Sequence, residues 1–374
     1  MSNSYERLAK YLNTLPAGFP PTPNGLELRI LERLFTPHEA ELALHLSLLN
    51  QDVQSIASQA GLSVEETSSL LERMLRKGLI GATRAPGKGA HYSISQFVIG
   101  FYEGQVNRLD EDMAKLFEDY APFYFKHSSW KKVPQLRTIP IKRAIPITHE
   151  VLPYMQVEEI VRSNEDIAVR NCVCRQEQQL LGKGCDRPME TCMTFGSAAR
   201  NTVEHEIGRM ITKDEAMEIV KQAQAAGLVL QPANSQNPMV VCMCCSCCCG
   251  VLRQIKADPK PGKLVANPYV TQYDHSLCVG CMACVEICPM EALTEDAQGG
   301  IHFTQERCIG CGLCVDVCPS EALQMVPKAE LEQPRIPKNT VNTYINLSKA
   351  RGLGNIASNL WVILRSWLRQ TLSK

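Results

Sequence analysis

The chain has 374 residues, of which 45% are hydrophobic, and its 39 basic and 39 acidic residues give a formal net charge of zero. This length is enough for two or three domains with their own cores, and the neutral balance excludes a protein built throughout to coat nucleic acid or an anionic surface. No stretch approaches the roughly 20 consecutive apolar residues of a membrane-spanning helix, and the N-terminus lacks the apolar core of a secretory signal. We therefore expect a multidomain α+β protein that is neither exported nor integral to a membrane.

Residues 1–105 carry a series of helical patterns followed by a hairpin pattern. Five segments have apolar residues at helical spacing: residues 5–12, 26–35, 40–49, 53–60 and 64–74. Ser63 followed by Glu66 is a capping-box pattern, and an alternating strand pattern follows at residues 91–94. This order resembles the winged-helix domain of bacterial regulators. The resemblance implies a module for binding DNA or for docking another protein.

The charges of this region argue against DNA as the partner. Residues 51–105 contain five basic and five acidic side chains, and the helix that would enter the groove begins with Glu65 and Glu66. Phosphates would repel both carboxylates, and phosphate neutralisation supplies most of the nonspecific affinity of proteins for DNA. We therefore expect no DNA binding.

Residues 106–150 are predicted to form a helix and then a basic connector that contains prolines. Between residues 120 and 149 there is no acidic residue but there are six basic ones: Lys126, Lys131, Lys132, Arg137, Lys142 and Arg143. An extended chain is favoured here by Pro122, Pro134, Pro140 and Pro146. Two interpretations are open, a solvated linker or a strip that docks an acidic partner.

A middle domain is predicted over residues 151–263. Thr212 and Glu215 form a capping-box pattern for a helix, and two short strands are expected at residues 228–230 and 239–241. The helix is followed by the first of these strands after a glycine, as is common at helix ends.

The cysteines are confined to one part of the chain. All 18 fall between Cys172 and Cys318, and the first 171 residues have none. In a secreted mini-protein such a number would suggest disulfides. In a chain that is not exported, clustered cysteines indicate metal ligands.

Residues 264–330 contain an internal duplication. The segments CVGCMACVEICPMEAL and CIGCGLCVDVCPSEAL begin at Cys278 and Cys308, an offset of 30 residues. Each has three cysteines spaced three residues apart, then a Cys-Pro pair. Bacterial two-cluster ferredoxins use this spacing to wrap a loop around each cubane. The region resembles the bacterial-type dicluster ferredoxin domain, and the resemblance implies two [4Fe–4S] clusters and one-electron transfer.

The resemblance also implies a ligand set, because the fourth cysteine of each ferredoxin motif ligates the cluster of the other motif. The first cluster is expected on Cys278, Cys281, Cys284 and Cys318. The second cluster is expected on Cys308, Cys311, Cys314 and Cys288. A structural zinc site would not need eight cysteines in this doubled pattern.

The other ten cysteines fall in two segments without ferredoxin spacing. The upstream segment has four thiolates that could complete a third cubane or a tetrahedral zinc site: Cys172, Cys174, Cys185 and Cys192. The downstream segment has six: Cys242, Cys244, Cys245, Cys247, Cys248 and Cys249. Adjacent cysteines point apart along an extended chain, so we expect sites that use a subset and mix the two segments. Three alternatives are open for these cysteines: a third iron–sulfur cluster, a zinc site and an unmetallated redox dithiol.

Residues 331–374 form a basic tail with no acidic residue beyond Glu332. Within residues 350–374 an amphipathic helix is predicted, with one apolar face formed by Leu353, Ile356, Leu360, Ile363, Leu364, Trp367 and Leu368. Its basic and Trp components suit a membrane surface or a groove on a partner, and it could equally pack on its own protein.

These features favour an iron–sulfur electron-transfer protein that passes single electrons to or from a partner oxidoreductase in anaerobic metabolism. The expected location is the cytoplasm, peripheral to the inner face of the membrane if the tail binds lipid. Two alternatives are a redox-sensing winged-helix regulator and a reductase whose substrate or cluster site is the cysteine run 242–249. No phosphate-binding loop or dinucleotide fingerprint follows a predicted strand, so an electron carrier fits better than a stand-alone enzyme.

Overall fold

The computed structural model describes residues 3–84, 89–141, 144 and 153–352. The N-terminal region begins with five helices, which are α1 (Ser4–Thr14), α2 (Leu26–Leu34), α3 (Pro37–Ala43), α4 (Val53–Ala60) and α5 (Val64–Arg76). Three short strands accompany them in an antiparallel sheet of order β1-β3-β2: β1 (Gln51–Asp52), β2 (Ile80–Thr83) and β3 (His91–Ile94). Leu70, Leu71 and Met74 of α5 are buried in the core of this region.

Local sequence signals set most of these boundaries. Ser63 caps α5 by accepting a hydrogen bond from the Glu66 backbone N–H at 3.1 Å, and Gly61 ends α4 in the left-handed conformation. The bounds predicted for α3, residues 40–49, are wrong at both ends. The helix begins earlier because Thr36 and Glu39 form a capping box, and it ends at Ala43, after which the chain turns towards β1.

The next helix, α6 (Glu111–His127), runs through Pro122 and carries Tyr120 and Tyr124 into the core. After it, residues 129–141 form a segment that we call the strap. Its backbone N–H groups donate to the Pro232 carbonyl from Arg137 (3.0 Å) and to the Leu230 carbonyl from Ile139 (3.1 Å). The strap is therefore hydrogen-bonded to residues 230–232 of the middle domain.

The strap corrects the two interpretations of the basic connector for residues 135–141, which are neither solvated nor open to a partner. Residues 135–141 are all buried. The guanidinium of Arg137, with 0% exposure, donates to the carbonyls of Tyr154 and Ser235. Its Nη2 group donates to these backbone carbonyls inside the protein, so the presence of this cation in the sequence did not indicate a solvated surface. Lys126, Lys131 and Lys132 are exposed, as expected, and residues 142–143 lie outside the described ranges.

The middle domain is built on a five-stranded antiparallel sheet of order β6-β4-β5-β8-β7. Its strands are β4 (Ile167–Asn171), β5 (Glu190–Phe195), β6 (Gly208–Met210), β7 (Val229–Pro232) and β8 (Val240–Cys244). Its helices are α7 (Val157–Arg162), α8 (Val173–Leu180), α9 (Ser197–Glu204), α10 (Lys213–Ala225) and α11 (Gly250–Lys256). As predicted, Thr212 caps α10 by accepting from the Glu215 N–H at 3.1 Å.

The duplicated region has two small antiparallel sheets and two short helices. One sheet pairs β9 (Tyr269–Tyr273) with β12 (Leu323–Pro327), and the other pairs β10 (Leu293–Glu295) with β11 (Ile301–Phe303). The helices are α12 (Ala283–Ile287) and α13 (Leu313–Asp316). A small separate core forms between them, and it contains Cys284, Leu293, Ile301, Cys314 and Leu323.

The chain then forms a helix that the sequence patterns did not predict, α14 (Thr340–Ala350). Thr343 donates to the Asn234 carbonyl at 2.7 Å, and Arg351 donates to the Asn13 carbonyl at 2.6 Å, so this segment bridges the middle and N-terminal regions. The amphipathic helix was predicted within residues 350–374, and of these residues 353–374 lie outside the described ranges. Among the described helices, none has the length and apolar character required to cross a membrane.

Candidate functional site

The two halves of the duplication fold in the same way. Left-handed backbone recurs at three pairs of positions 30 residues apart: Gly280 and Gly310 (φ 69 and 66), Met282 and Gly312 (φ 61 and 77), and Glu291 and Glu321 (φ 53 and 56). Met282 and Gly312 stand immediately before α12 and α13. Each motif therefore makes the same sequence of turns, and its cysteines are presented in the same order.

The second half forms an enclosed cysteine site. Four cysteines line one cavity beside Thr271: Cys288, Cys308, Cys311 and Cys314. The Thr271 hydroxyl lies 3.6 Å from the sulfurs of both Cys308 and Cys314, and the Ala292 backbone N–H donates to the Cys288 sulfur at 3.2 Å. Cys288 belongs to the first motif in sequence but to the second site in space, as ligand exchange requires.

The first half gathers the complementary set. Cys284 packs in the small core with Cys278 and Cys318 beside it. Burial, together with the neighbouring thiols of Cys281, Cys278 and Cys318, raises the pKa of the Cys284 thiol to about 11. Backbone N–H groups of Ser320, Ala322 and Leu323 face the Cys318 sulfur.

Both sites fit iron–sulfur cubanes. Each brings together four thiols from two motifs, and backbone N–H groups donate to a sulfur at each site, as they do around iron–sulfur clusters. Buried thiols this close together repel one another when ionised, and bound iron removes that repulsion. The region is therefore an iron–sulfur domain of the ferredoxin type.

Comparison with known protein families agrees with this assignment of the region. Residues 277–322 match the family of the 4Fe-4S dicluster domain. The chain thus contains a ferredoxin-type dicluster domain that binds two [4Fe–4S] clusters. Among curated proteins, none matches the chain.

The two cluster sites differ in their exposure. Val279 in the first loop is 67% exposed, whereas Ile309, the equivalent residue of the second loop, is 2% exposed. Cys281 is exposed and its equivalent, Cys311, is buried. The strap covers the second loop, because the Ile141 N–H donates to the Cys311 carbonyl at 3.2 Å. The first site thus opens to solvent, and the second faces the rest of the protein.

The ten other cysteines separate into two groups in space. We call the first the sulfur quartet; it consists of Cys185, Cys245, Cys247 and Cys248, whose sulfurs all lie within 4.8 Å of one another. The sulfur of Cys185 is 3.6 Å from that of Cys248 and 3.9 Å from that of Cys245, and the sulfurs of Cys248 and Cys247 are 3.8 Å apart. A turn closed by the Cys249 N–H on the Cys245 carbonyl (3.1 Å) gathers three of them.

Two arginines support the quartet. Arg175 is fully buried and donates to the Pro188 carbonyl (2.7 Å), to the Thr191 hydroxyl and to the Met243 carbonyl (2.8 Å), so it clamps the loop after Cys185 to β8. Arg187 lies against the Cys247 sulfur at 3.5 Å. Both cations can neutralise thiolate charge.

The titration of Cys185 reflects these neighbours. Burial opposes ionisation of its thiol. Hydrogen bonds from the Arg187 backbone and from the Cys247 and Cys248 thiols outweigh that effect and lower its pKa to about 6. These neighbours favour the thiolate form of Cys185, which is the form that binds metal.

The second group is a row of interacting thiols, which we call the thiol row. Each member contacts the next in the order Cys172, Cys174, Cys249, Cys244, Cys242 and Cys192. At one end Arg170 donates to the Cys192 sulfur at 3.2 Å. The Tyr102 hydroxyl lies 3.5 Å from the Cys174 sulfur and donates to Glu177 at 2.6 Å.

These groups differ from the sets read along the sequence. The four upstream cysteines do not form one site, since Cys185 joins the quartet and the other three join the row. Adjacent cysteines of the downstream segment belong to different groups: Cys245 and Cys248 lie in the quartet, whereas Cys244 and Cys249 lie in the row. Alternation along β8 places Cys242 and Cys244 on one face of the strand, and the turn that follows it directs Cys245, Cys247 and Cys248 to the quartet.

Several polar residues at these sites were not predicted. Arg170 and Arg175 flank the upstream cysteines in the sequence RNCVCR, and this flanking was the only signal for them. Tyr102 and Glu177 reach the row from different regions, 75 residues apart. Burial raises the pKa of Glu177 to about 7 despite its hydrogen bond from Tyr102.

Proposed function

We propose that this protein is an electron carrier that passes single electrons through its two [4Fe–4S] clusters to or from a partner oxidoreductase in the cytoplasm of an anaerobic cell. The observation that carries the proposal is the asymmetry of the dicluster domain. One cluster site opens to solvent, and the other lies under the strap beside the cysteine-rich middle domain. Two adjacent one-electron centres with different access form a path from a surface to an interior.

The partner is proposed to dock over the first cluster site. Leu277 is 46% exposed and lies next to Cys278, and the exposed Val279 and Cys281 continue the same surface. Apolar side chains around an exposed cysteine ligand let a partner exclude water close to the cluster. The weak, transient contacts typical of redox partners need only a small surface of this kind.

The middle domain is proposed to hold a third iron–sulfur cluster on the thiol row. The six thiols of the row are hydrogen-bonded in succession, whereas the four sulfurs of the quartet all lie within 4.8 Å of one another, so the row extends over a longer space. A cubane binds each thiolate at a different iron, and this spread suits it. Arg170 at one end and Arg175 beside Cys172 and Cys244 would offset the negative charge of such a centre.

The N-terminal region is proposed to be a winged-helix-like docking module. Its support is the sheet order β1-β3-β2 together with helices α3 to α5. Arg84, just after β2, pairs with Glu72 of α5 and Glu204 of α9, so part of the hairpin is engaged by the middle domain. A DNA-binding regulator would need the hairpin of this region to be free to contact DNA, but Arg84 beside it is paired with the middle domain.

A reductase is the second candidate function, and one cavity favours it. A space of about 730 Å³ lies between the N-terminal region, the middle domain and α14, and its lining is mostly apolar. Arg170 lines this cavity and also holds Cys192 at the end of the thiol row. Cavities of roughly 300–1,000 Å³ with a few polar groups are typical of small-molecule sites.

The proposal is tested on holo-protein purified anaerobically. Reduced protein should show the spin-coupled signal of two [4Fe–4S] clusters in electron paramagnetic resonance, and a chain without this signal would not be a dicluster carrier. Iron should exceed about eight atoms per chain, and it should fall to about eight in the Cys174→Ser, Cys249→Ser double variant. About eight irons per chain in both the wild-type protein and the variant would show that there is no third cluster.

The carrier and the reductase make different predictions for turnover. A carrier, once reduced, should be reoxidised by a partner protein and not by small molecules that fit the cavity. An Ala198→Trp variant narrows the cavity at one of its lining residues. Small-molecule reoxidation that this variant abolishes, with the two-cluster signal unchanged, would favour the reductase.

A further inference from the structure

The sulfur quartet has the dimensions of a single-ion site. Around one zinc ion with Zn–S bonds of about 2.3 Å, the sulfurs of a regular tetrahedron are about 3.8 Å apart. The three closest sulfur pairs of the quartet are 3.6, 3.8 and 3.9 Å apart, and all pairs lie within 4.8 Å. A cubane would hold each thiolate on a different iron and so would push these sulfurs further apart.

The quartet is also complete and held in place. Four thiols fill all positions of a tetrahedral ion, which is the arrangement of structural zinc sites. Arg175 holds the loop following Cys185 to β8, and the turn that carries Cys245, Cys247 and Cys248 follows directly from the end of that strand. A site assembled in this way needs only its ion to cross-link Cys185 to residues 245–248.

We propose that the sulfur quartet binds one Zn²⁺ ion in tetrahedral thiolate coordination, separate from every iron–sulfur cluster of the chain. Tetrahedral sulfur sites suit both zinc and iron, but divalent zinc binds a given site more tightly than ferrous iron. The ion has a structural role: it joins the loop between α8 and β5 to the turn before α11. Binding releases the thiol protons that remain on the four cysteines and forms four Zn–S bonds.

Arg187 is a positioning residue for this site. Its guanidinium donates to the Ala226 carbonyl at 3.1 Å and lies 3.5 Å from the Cys247 sulfur. Cys247 is the exposed member of the quartet, so its orientation depends most on a partner outside the ion. Charge-assisted hydrogen bonds to a bound thiolate orient the ligand and stabilise its negative charge.

The decisive experiment uses pairs of adjacent cysteines with opposite assignments. Cys245 and Cys248 belong to the quartet, whereas their sequence neighbours Cys244 and Cys249 belong to the thiol row, and all four are buried. Full-length protein is purified anaerobically from medium containing both metals, and zinc and iron are measured. We expect one zinc per chain. It should be lost in Cys245→Ser and Cys248→Ser and kept in Cys244→Ser and Cys249→Ser.

Other results overturn the proposal. Loss of about four irons without loss of zinc in Cys248→Ser would assign the quartet to a cluster. One iron in place of the zinc would overturn the choice of metal, and zinc loss in the Cys244 and Cys249 variants alone would overturn the ligand set. None of these results depends on electron transfer, so the proposed carrier function can stand or fall separately.

If the variants do not fold, spectroscopy of the wild-type protein tests the zinc site. X-ray absorption at the zinc edge should give four sulfur neighbours at about 2.3 Å and no nitrogen or oxygen neighbour. Cobalt substituted for zinc should show the intense visible bands of a tetrahedral four-thiolate ion. A nitrogen or oxygen ligand, or wild-type protein without zinc, would overturn the proposal.

Discussion

The two cluster loops share one sequence pattern and one backbone path, yet they lie in different surroundings. A Cβ atom on Gly280 would meet no atom within 4 Å, whereas on Gly310 it would lie 2.5 Å from the Tyr269 carbonyl oxygen. The Asn267 amide donates to the carbonyls of Ile309 (3.1 Å) and Gly310 (2.7 Å), which fixes the second loop further. The comparison shows that a duplicated motif determines ligands but not access or environment, and cluster potentials depend on both.

The largest effect is expected from removing one ligand in each loop. Cys281→Ala and Cys311→Ala should each lose one cluster, about four irons, together with the spin coupling of the reduced pair. Cys311→Ala should also lower the melting temperature more, because its emptied site is enclosed by the strap while the first site is open. Iron analysis, electron paramagnetic resonance and thermal unfolding measure the three quantities.

Either variant can contradict the comparison. If Cys281→Ala and Cys311→Ala lower the melting temperature equally, the enclosure of the second site adds nothing to stability. If one variant retains both clusters, its cysteine is not a ligand and the exchanged ligand set must be revised.

A smaller effect is expected from a matched pair of glycine variants. Gly280 and Gly310 have nearly the same φ, 69 and 66, so alanine brings the same left-handed strain of roughly 1–2 kcal/mol at both. Gly310→Ala also collides with the Tyr269 carbonyl, so its total cost should be roughly 2–5 kcal/mol. Chemical denaturation of the holo-proteins measures the difference, and equal costs would mean that the second loop is not tightly enclosed.

The smallest effect is expected at the Thr271 hydroxyl, which lies 3.6 Å from two sulfurs of the second site. Thr271→Val keeps the shape of the side chain and removes the hydroxyl, which can donate to a cysteine sulfur once that sulfur is a thiolate bound to the cluster. A hydrogen bond to sulfur stabilises the reduced, more negative cluster, so the potential of the second cluster should fall. A bond of about 0.5–1.5 kcal/mol corresponds to tens of millivolts for one electron. Redox titration should show no shift of the first cluster, and an equal shift of both would contradict the assignment.

Some local features were predictable because short segments decide them. The capping residues Ser63 and Thr212 determine helix starts within three residues of themselves. The cysteine spacing of the dicluster domain was equally readable, since each loop wraps its cluster with consecutive residues and residues 277–322 match the family. By contrast, α14 was missed because few of its residues are buried, so its sequence lacks a clear apolar stripe.

The strap could not be read from the sequence for a different reason. Its basic residues and prolines have the composition of a solvated linker, and only the carbonyls of Tyr154 and Ser235 make Arg137 a buried residue. Those acceptors lie 17 and 98 residues away along the chain. A composition argument contains no information about such partners.

The sequence by itself determined that the chain carries a dicluster ferredoxin-type domain, because the ligands of each loop lie within a few residues and their spacing is dictated by the size of the cluster. Tertiary structure alone decided which cluster site is open and which is covered. It also decided which of the ten remaining thiols lie together, since Cys185 contacts Cys245 and Cys248, which are 60 and 63 residues away along the chain. Contacts between distant segments depend on the packing of whole strands and helices, and no local pattern encodes them.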